Sequence, residues 1–159
     1  MAIVKGTNSY VTLNEANAYF ANRIDAASWE EASADKQEKA LITATMTLDT
    51  IEWAGSAISD TQSLAFPRNG IYFDPRLGYN VSLDSAVATA RIENATFELA
   101  LHLLNNEGVL DDTGSIRSLG VSSINLGTII PAGLTPQTAR RLYKPLQVHG
   151  GSRAWWRAN

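Results

Sequence analysis

Apolar residues recur at helical spacing in three stretches of the chain. A first helix is predicted to follow Thr12, because Thr12 and Glu15 have the spacing of a capping box, in which each residue satisfies a backbone N–H of the other. A second helix is predicted to begin at Ser33, where the charge of Asp35 suits the positive end of the helix dipole. The three predicted helices cover about residues 13–23, 36–51 and 85–106.

The longest of these helices carries apolar residues on two faces. One face is formed by Ala88, Ile92, Ala95, Leu99 and Leu103. Phe97, Leu101 and Leu104 add a second face in the last turns. A helix at the surface of a protein needs only one apolar stripe, so a helix that is apolar on two faces is expected at the centre of a bundle.

The character of the sequence changes after the longest helix. Residues 115–130 are rich in β-branched residues and contain two glycines, which predicts two short strands that form a β-ribbon. A short helix is predicted over residues 138–143, after Pro136. We therefore predict a mainly α fold, with a single helical bundle domain over residues 1–146 that includes the ribbon, and an extended C-terminal tail over residues 147–159.

One apolar stretch of the chain cannot be helical. Pro67 lacks a backbone N–H and restricts Phe66 to an extended conformation, and Asn69-Gly70 tolerates positive φ. We predict a rigid structural elbow made of Phe66, Pro67, Arg68, Asn69 and Gly70. Phe66 and Pro67 are expected to be largely buried, and Arg68 is expected to be free to pair with a carboxylate of the same or a neighbouring subunit. Residues 74–80, which follow, have the Pro, Gly and Asn content of a loop.

Charge divides the chain into two unlike parts. Residues 1–112 hold all 16 acidic residues and 7 of the 13 basic ones, so the remaining basic residues lie in 113–159 without any acid. Opposite charges at the two ends suit head-to-tail contact between subunits. The start of the chain lacks the pattern of a signal peptide, and no segment is apolar for the length of a membrane span, so a soluble, unsecreted protein is expected.

Basic and aromatic residues gather near the C-terminus. The predicted partner-binding residues are Arg140, Arg141, Lys144, Arg153, Trp155, Trp156 and Arg157. Tryptophan and arginine are over-represented among binding hot spots, and Gly150-Gly151 provides a joint in the chain. The tail is therefore expected to dock on another protein, and the alternative is that it folds back on its own domain.

The sequence contains no pattern of catalytic chemistry. It has no phosphate-binding glycine loop, no nucleophile elbow and no His-Glu zinc pair. It also has no cysteine, which excludes thiolate metal sites and thiol nucleophiles. No catalytic, cofactor-binding or metal-ligating residue is predicted, and the chain is not expected to be an enzyme.

Several stretches carry a resemblance to a known family. They are residues 9–13, 18–20, 40–49, 61–70 and 98–101. These stretches resemble the head-tail connector (adaptor) proteins of tailed bacteriophages, which are often labelled DnaT-like single-stranded DNA-binding proteins. The resemblance covers about residues 9–146, and the elbow is its most specific part, although Phe66 stands where a tryptophan is expected.

The resemblance implies a structural virion protein without cofactors. Such a protein forms a ring, expected to be dodecameric, that lies beneath the portal in the neck of the virion, joins the portal to the tail and lines the DNA channel. The implied partners are the portal protein, neighbouring copies of the chain, tail-terminator or neck proteins, and DNA that passes without sequence-specific binding. The protein is expected in the host cytoplasm during assembly.

The alternative is a single-stranded DNA-binding protein. Such proteins combine a basic groove with exposed aromatic side chains on which bases stack. The C-terminal basic and aromatic residues are the one collection of this kind in the sequence, and the acidity of the remaining chain favours a channel through which DNA slides without sticking. Binding to oligonucleotides is therefore expected to be weak and steeply dependent on salt.

Overall fold

The computed structural model describes residues 2–106 and 136–148, and all structural statements concern these two ranges. The helices are α1 (Leu13–Phe20), α2 (Ala27–Glu31), α3 (Ala34–Asp49), α4 (Ala86–Asn105) and α5 (Gln137–Tyr143), followed by a 3₁₀ turn (Lys144–Leu146). The strands are β1 (Ser56–Ala57), β2 (Arg68–Asn69), β3 (Ile71–Asp74) and β4 (Tyr79–Ser82). No helix within these ranges is long and apolar enough to cross a membrane.

Helix α4 lies at the centre of the core. Its first predicted face is buried, with Ile92 and Leu99 at most 1% exposed, and Phe97 and Leu101 of the second face are buried as well. The helix packs against α3 on one side and α5 on another, and it also contacts α2. The prediction of a central helix with two apolar faces is confirmed.

The predicted helix starts are present in the structure. At α1, the Thr12 hydroxyl accepts from the backbone N–H of Glu15 at 3.2 Å, and the Glu15 carboxylate accepts from the backbone N–H of Thr12 at 2.7 Å. At α3, the Ser33 hydroxyl accepts from the backbone N–H of Lys36 at 3.4 Å. These contacts satisfy N–H groups that have no partner inside a helix.

The fold class is only partly as predicted. About half of the described residues are helical, and the strands form two small antiparallel sheets, β1 with β2 and β3 with β4. Residues 71–82 form a hairpin where the sequence predicted the end of the elbow and a loop, because Pro75 and Gly78 lie in its turn and dominate the local composition. The predicted β-ribbon at 115–130 and residues 149–159 of the predicted tail lie outside the described ranges.

Of the two elbow residues that were predicted to be buried, Phe66 is buried and Pro67 is not. Phe66 is 6% exposed and packs edge-on against Trp53, with ring centroids 5.1 Å apart. The peptide bond between Phe66 and Pro67 is cis. Pro67 is exposed, which corrects the expectation that both residues are buried, because the apolar area of this turn is buried through Leu64 and Phe66.

Within its own chain, Arg68 bonds to backbone carbonyls and not to a carboxylate of the described residues. Its guanidinium donates to the backbone carbonyls of Ala54 at 2.8 Å, Gly55 at 2.7 Å and Ala65 at 3.3 Å, and to no carboxylate among the described residues. Ala54 and Gly55 directly precede β1, and β1 pairs with the strand that begins at Arg68, so the guanidinium lies beside their carbonyls. Gly55 has a φ of +73°, and a Cβ there would lie 2.0 Å from the Asn69 carbonyl oxygen, so the backbone approach at this point requires glycine.

Candidate nucleic-acid interface

The hairpin formed by β3 and β4 has one buried and one exposed face. Along β3, Tyr72 and Asp74 are buried, whereas Ile71 and Phe73 are 68% and 58% exposed. Successive strand residues point to opposite faces, so this alternation defines an outer face. The antiparallel register adds the residues that lie opposite on β4, and the outer face therefore consists of Ile71, Phe73, Asn80 and Ser82.

The tip of the hairpin adds a second aromatic side chain and a cation. Tyr79 is 59% exposed at the start of β4, and Arg76 is exposed in the turn. The Asp74 carboxylate accepts from the backbone N–H groups of Arg76 at 2.8 Å and Leu77 at 3.1 Å. The turn that carries Arg76 and Tyr79 is therefore fixed by hydrogen bonds.

The buried face of the hairpin is tied to α4 and α5 by an ion pair. Arg91 of α4 donates to both carboxylate oxygens of Asp74, from Nε at 2.8 Å and from Nη2 at 3.0 Å. The hydroxyl of Tyr72 donates to the same carboxylate at 2.8 Å, and Arg91 also donates to the Leu142 carbonyl in α5 at 3.2 Å. Because bidentate arginine contacts fix geometry as well as charge, the hairpin, α4 and α5 are held in one arrangement.

The protonation states of this cluster follow from its contacts. The hydrogen bonds from Arg91, together with those from Tyr72 and the turn, hold the pKa of the Asp74 carboxyl well below its usual range. Burial and the hydrogen bond to Asp74 raise the pKa of Tyr72 to about 12. Asp74 is therefore ionised and Tyr72 protonated at neutral pH, and the cluster acts as a structural support rather than as an acid or base.

Two of the predicted basic residues lie on the exposed side of α5, and a third, Lys144, directly follows the helix. Ala139 and Tyr143 face the core, whereas Arg140, Arg141 and Lys144 are exposed. None of these three cations forms an ion pair with a residue in 2–106 or 136–148. Their positive charges are therefore available to an anionic partner such as a phosphate backbone.

A groove of about 500 Å³ separates the hairpin from the end of α5. It is lined by Ile71, Tyr72 and Phe73 on one side, by Pro145, Gln147 and Val148 on the other, and by Ala54 and Gly55. Pro145 follows Lys144 within the 3₁₀ turn, so the basic side of α5 begins beside the wall of the groove. Exposed Phe73 and the residue that follows the cation Lys144 therefore line one groove.

A second, larger groove of about 710 Å³ lies between α2, α3 and α4. Its lining contains Glu31 together with Lys36 and Lys39, and no aromatic side chain. Lys39 is already paired with Asp35 at 2.6 Å. This mixed charge and the lack of a ring surface make it a poorer site for nucleic acid than the groove beside the hairpin.

The structure brings together part of the predicted partner-binding set and adds residues that the sequence analysis missed. Arg140, Arg141 and Lys144 share one exposed side, whereas Arg153, Trp155, Trp156 and Arg157 lie outside the described residues. Phe73, Tyr79 and Arg76 were missed. The signal that could have found them is the apolar run before Pro75 and Gly78, which is typical of a strand that enters a turn.

Comparison with known proteins finds a matching protein family. Residues 2–142 match a protein-family model with the description "Putative DnaT-like ssDNA binding protein". The matched range includes the whole hairpin and most of α5. No curated protein and no solved structure matches the chain.

The family match overturns the head-tail connector function expected from the sequence. The description of a structural virion ring that lines a channel beneath a portal is therefore wrong as well. The family match supports the alternative, single-stranded DNA binding. The expectation counted charge over the whole chain, whereas Arg140, Arg141 and Lys144 are gathered on one exposed side, next to a groove that exposed Phe73 lines. The portal, neighbouring-copy and tail partners and the location in a virion stay predictions.

Proposed function

We propose that this chain, which belongs to the DnaT-like single-stranded DNA-binding protein family, binds single-stranded DNA between the β3–β4 hairpin and α5. The observation that carries the proposal is the position of exposed Phe73 across one groove from the 3₁₀ turn that begins with the cation Lys144 and follows the exposed Arg140 and Arg141 of α5. Proteins that bind single strands combine these two features, a basic surface for the phosphates and aromatic rings for the bases.

Each part of the interface has a distinct role in this proposal. Bases stack on Phe73, where a stacked base contributes about 1–3 kcal/mol. Arg140, Arg141 and Lys144 contact the phosphates. Stacking tolerates any base because every base has a π-face, so we expect little sequence preference.

The same geometry favours single strands over duplex DNA. In a duplex the faces of the bases are stacked on one another, so Phe73 has no base face to contact. Duplex DNA therefore competes only through its phosphates, which the cations of α5 contact without regard to sequence. A single strand uses both the rings and the cations.

The cluster around Asp74 supports this function by fixing the interface before DNA arrives. Arg91 connects the hairpin to the Leu142 carbonyl of α5, so Phe73 and the basic side of α5 keep their relative positions. A surface that is already ordered loses less conformational entropy when it binds.

The test is a fluorescence anisotropy titration of a labelled deoxythymidine oligomer of about 20 nucleotides with the full chain. We expect affinity to fall steeply between about 50 and 200 mM salt. Phe73→Ala is expected to weaken binding by about 5-fold to 150-fold, the equivalent of one lost stacking contact of about 1–3 kcal/mol. Unlabelled duplex of the same length is expected to compete poorly.

Two matched controls make the result specific to this site. Lys144→Ala should weaken binding and lower the slope of log affinity against log salt by about 0.7, the value for one phosphate contact with a single strand. Lys36→Ala removes an exposed cation from the other groove and should change neither quantity. Unchanged affinity in Phe73→Ala, with an unchanged circular dichroism spectrum, would place DNA elsewhere or exclude the function.

A further inference from the structure

The outer face of the β3–β4 hairpin carries one polar side chain without a partner among the described residues. Of its two polar residues, Ser82 is engaged, because its hydroxyl donates to the Asp84 carboxylate. The amide of exposed Asn80 forms no side-chain hydrogen bond with any residue that the structure describes. Asparagine is depleted in strands, and here it neither caps a helix nor closes a turn. The described part of the fold therefore gives no reason for an asparagine at this position.

Asn80 lies directly beside Phe73, the ring on which a base stacks in the proposed function. The two residues are partners in the antiparallel register, and both belong to the outer face. The backbone N–H of Leu83 donates to the Gly70 carbonyl at 2.9 Å, so Gly70 and Leu83 are a bonded pair. Bonded and non-bonded pairs alternate along a hairpin, which makes Phe73 and Asn80 a non-bonded pair, the kind in which side chains lie closer. The Cβ atoms of directly opposite residues are about 4.5–5.5 Å apart.

The order of the elements determines which part of a nucleotide reaches Asn80. The hairpin residues that line the groove belong to β3, and residues 145–148 form the opposite wall. Strand β4 lies on the other side of β3, away from the groove. In a nucleotide, the Watson–Crick edge is on the side of the base that faces away from the sugar and the phosphate. A base that stacks on Phe73 with its phosphate toward Lys144 therefore directs its Watson–Crick edge across β3, toward Asn80.

We propose that the Asn80 amide hydrogen-bonds the free Watson–Crick edge of the base that stacks on Phe73. This inference rests on the proposed function and deepens it, because it assigns the recognition of unpaired bases to one side chain. The asparagine amide carries an acceptor, its oxygen, beside a donor, its NH₂ group. Proteins that bind unpaired bases commonly combine stacking with hydrogen bonds to this edge.

The Watson–Crick edge of every base matches this amide. Each edge carries a donor beside an acceptor: N6–H and N1 in adenine, N4–H and N3 in cytosine, N1–H and O6 in guanine, and N3–H and O4 in thymine. A half-turn about the last side-chain torsion of Asn80 exchanges its donor and its acceptor, and this torsion is broad and roughly two-fold in asparagine. The same side chain therefore fits all four edges in one of two orientations.

The contact recognises that a base is unpaired and not which base it is. It adds no strong sequence preference, in agreement with the tolerance of stacking for every base. In a duplex, the Watson–Crick edges are hydrogen-bonded to the opposite strand, so Asn80 has no free edge to contact. Asn80 thus provides a second reason, besides the hidden base faces, for the preference for single strands.

The test compares two oligomers in anisotropy titrations with the full chain. One is a deoxythymidine oligomer of about 20 nucleotides, and in the other every thymine is N3-methylthymine. The methyl group replaces the N–H of the Watson–Crick edge and leaves the phosphates and the base face in place. We expect wild type to bind the unmodified oligomer about 3-fold to 10-fold more tightly, the equivalent of the net gain from one hydrogen bond. In Asn80→Ala this ratio of affinities should fall to about one, because the side chain that distinguishes the two edges is gone.

The ratio separates a direct contact from a structural effect. A disturbed hairpin would weaken the binding of both oligomers and leave the ratio at its wild-type value. Any effect of the methyl group on the oligomer itself is present with both proteins and cancels when their ratios are compared. Asn22→Ala is the matched control, because Asn22 is an exposed asparagine between α1 and α2, outside the interface, and it should keep the wild-type ratio.

Three outcomes would contradict these expectations in distinguishable ways. Equal binding of the two oligomers by wild type would overturn the contact with the Watson–Crick edge and leave the proposed function intact. A wild-type ratio that persists in Asn80→Ala would assign the edge to another group and overturn the role of Asn80. Failure of wild type to bind the unmodified oligomer would instead exclude the proposed function, and this inference with it.

Discussion

Two clusters of similar chemistry hold opposite sides of the protein to α4, and they differ in depth. On the α1 side, Glu98 of α4 accepts from the Tyr19 hydroxyl at 2.6 Å and forms an ion pair with Arg23. On the hairpin side, Arg91 of α4 pairs with Asp74, which also accepts from Tyr72. The helix supplies the acid in one cluster and the base in the other.

The hairpin cluster is the more buried of the two. The side chains of Arg91 and Asp74 are 14% and 0% exposed, compared with 25% and 9% for Arg23 and Glu98. Arg23 also pairs with exposed Asp25, so its charge has a second partner. Electrostatic interactions strengthen as water is excluded, and the cost of losing one partner rises with them.

The difference matches the amount of apolar packing on each side. Next to the α1 cluster, Tyr19 stacks on Phe97 with centroids 4.6 Å apart, and Phe20 packs on Trp29 at 4.7 Å. The hairpin has strands of only four residues, and an isolated two-stranded hairpin is marginally stable in water. The deeper ion pair therefore lies where apolar area is scarce, so the candidate interface depends on this pair most.

The largest effect is expected from Arg91→Met. The substitution leaves the buried Asp74 carboxylate without its charge partner, which should lower the free energy of unfolding by about 3–5 kcal/mol. Urea denaturation followed by circular dichroism measures the loss. Arg76→Met is the matched control, since Arg76 is an exposed arginine of the same hairpin without an ion pair among the described residues, and it should stay within about 0.5 kcal/mol of wild type. If Arg91→Met lowers the free energy of unfolding by less than about 1 kcal/mol, the hairpin does not depend on this ion pair.

Acid should act through the same cluster. The pKa of Asp74 is depressed in the folded state, so its contribution to stability is present above the pKa of an unfolded aspartate, about 4, and is lost as pH falls below that value. We expect wild type to lose stability between about pH 5 and pH 2 more steeply than Asp74→Asn. Urea titrations at each pH give the two curves, and other carboxylates cancel in their difference. Parallel curves would contradict the assignment.

A smaller effect is expected from Glu98→Gln on the α1 side. The amide removes the charge of Glu98, yet Arg23 keeps Asp25 as a partner and the stacked rings of Tyr19 and Phe97 remain. We expect a loss of about 1–2 kcal/mol in the same urea experiment, because a hydrogen-bonded charge at this depth is only partly desolvated. A loss as large as that of Arg91→Met would show that depth of burial does not separate the two clusters.

The sequence predicts the central helix α4 but misses the β3–β4 hairpin that packs against it. The two apolar faces of α4 follow from spacing alone, because Ile92, Leu99 and Phe97 recur with the period of the helix that buries them. Asp74 cannot be recognised as buried from its neighbours, because the partner that makes its burial tolerable is Arg91, on another element. Pro75 and Gly78 reinforced the error, since a hairpin turn and a loop share their composition.

The candidate site was predictable to a similar extent. The basic residues of α5 are visible as a cluster in the sequence, with Arg140 and Lys144 four residues apart. Their proposed role depends on Phe73, which lies far away in the chain and reaches the groove next to the end of α5 through the contact of Arg91 with Asp74 and with the Leu142 carbonyl. Charge counted along the chain therefore supports the connector function that the family match contradicts, while the positions of the charges in space support the proposed binding of DNA.

The smallest effect, and the sharpest comparison, comes from removing the two hydroxyls in separate variants. Tyr72→Phe deletes a hydrogen bond to a fully buried carboxylate, but Asp74 keeps its contacts with Arg91 and with the backbone of the turn, so we expect a loss of about 1 kcal/mol, at the low end for a bond to a charged group. Tyr19→Phe deletes the equivalent bond to Glu98, where water replaces part of it, and should cost about half as much. Both rings stay in place, so packing is conserved and the difference reports depth alone. Paired urea denaturation curves measure it, and a greater loss in Tyr19→Phe than in Tyr72→Phe would contradict the view that the hairpin cluster is the deeper support.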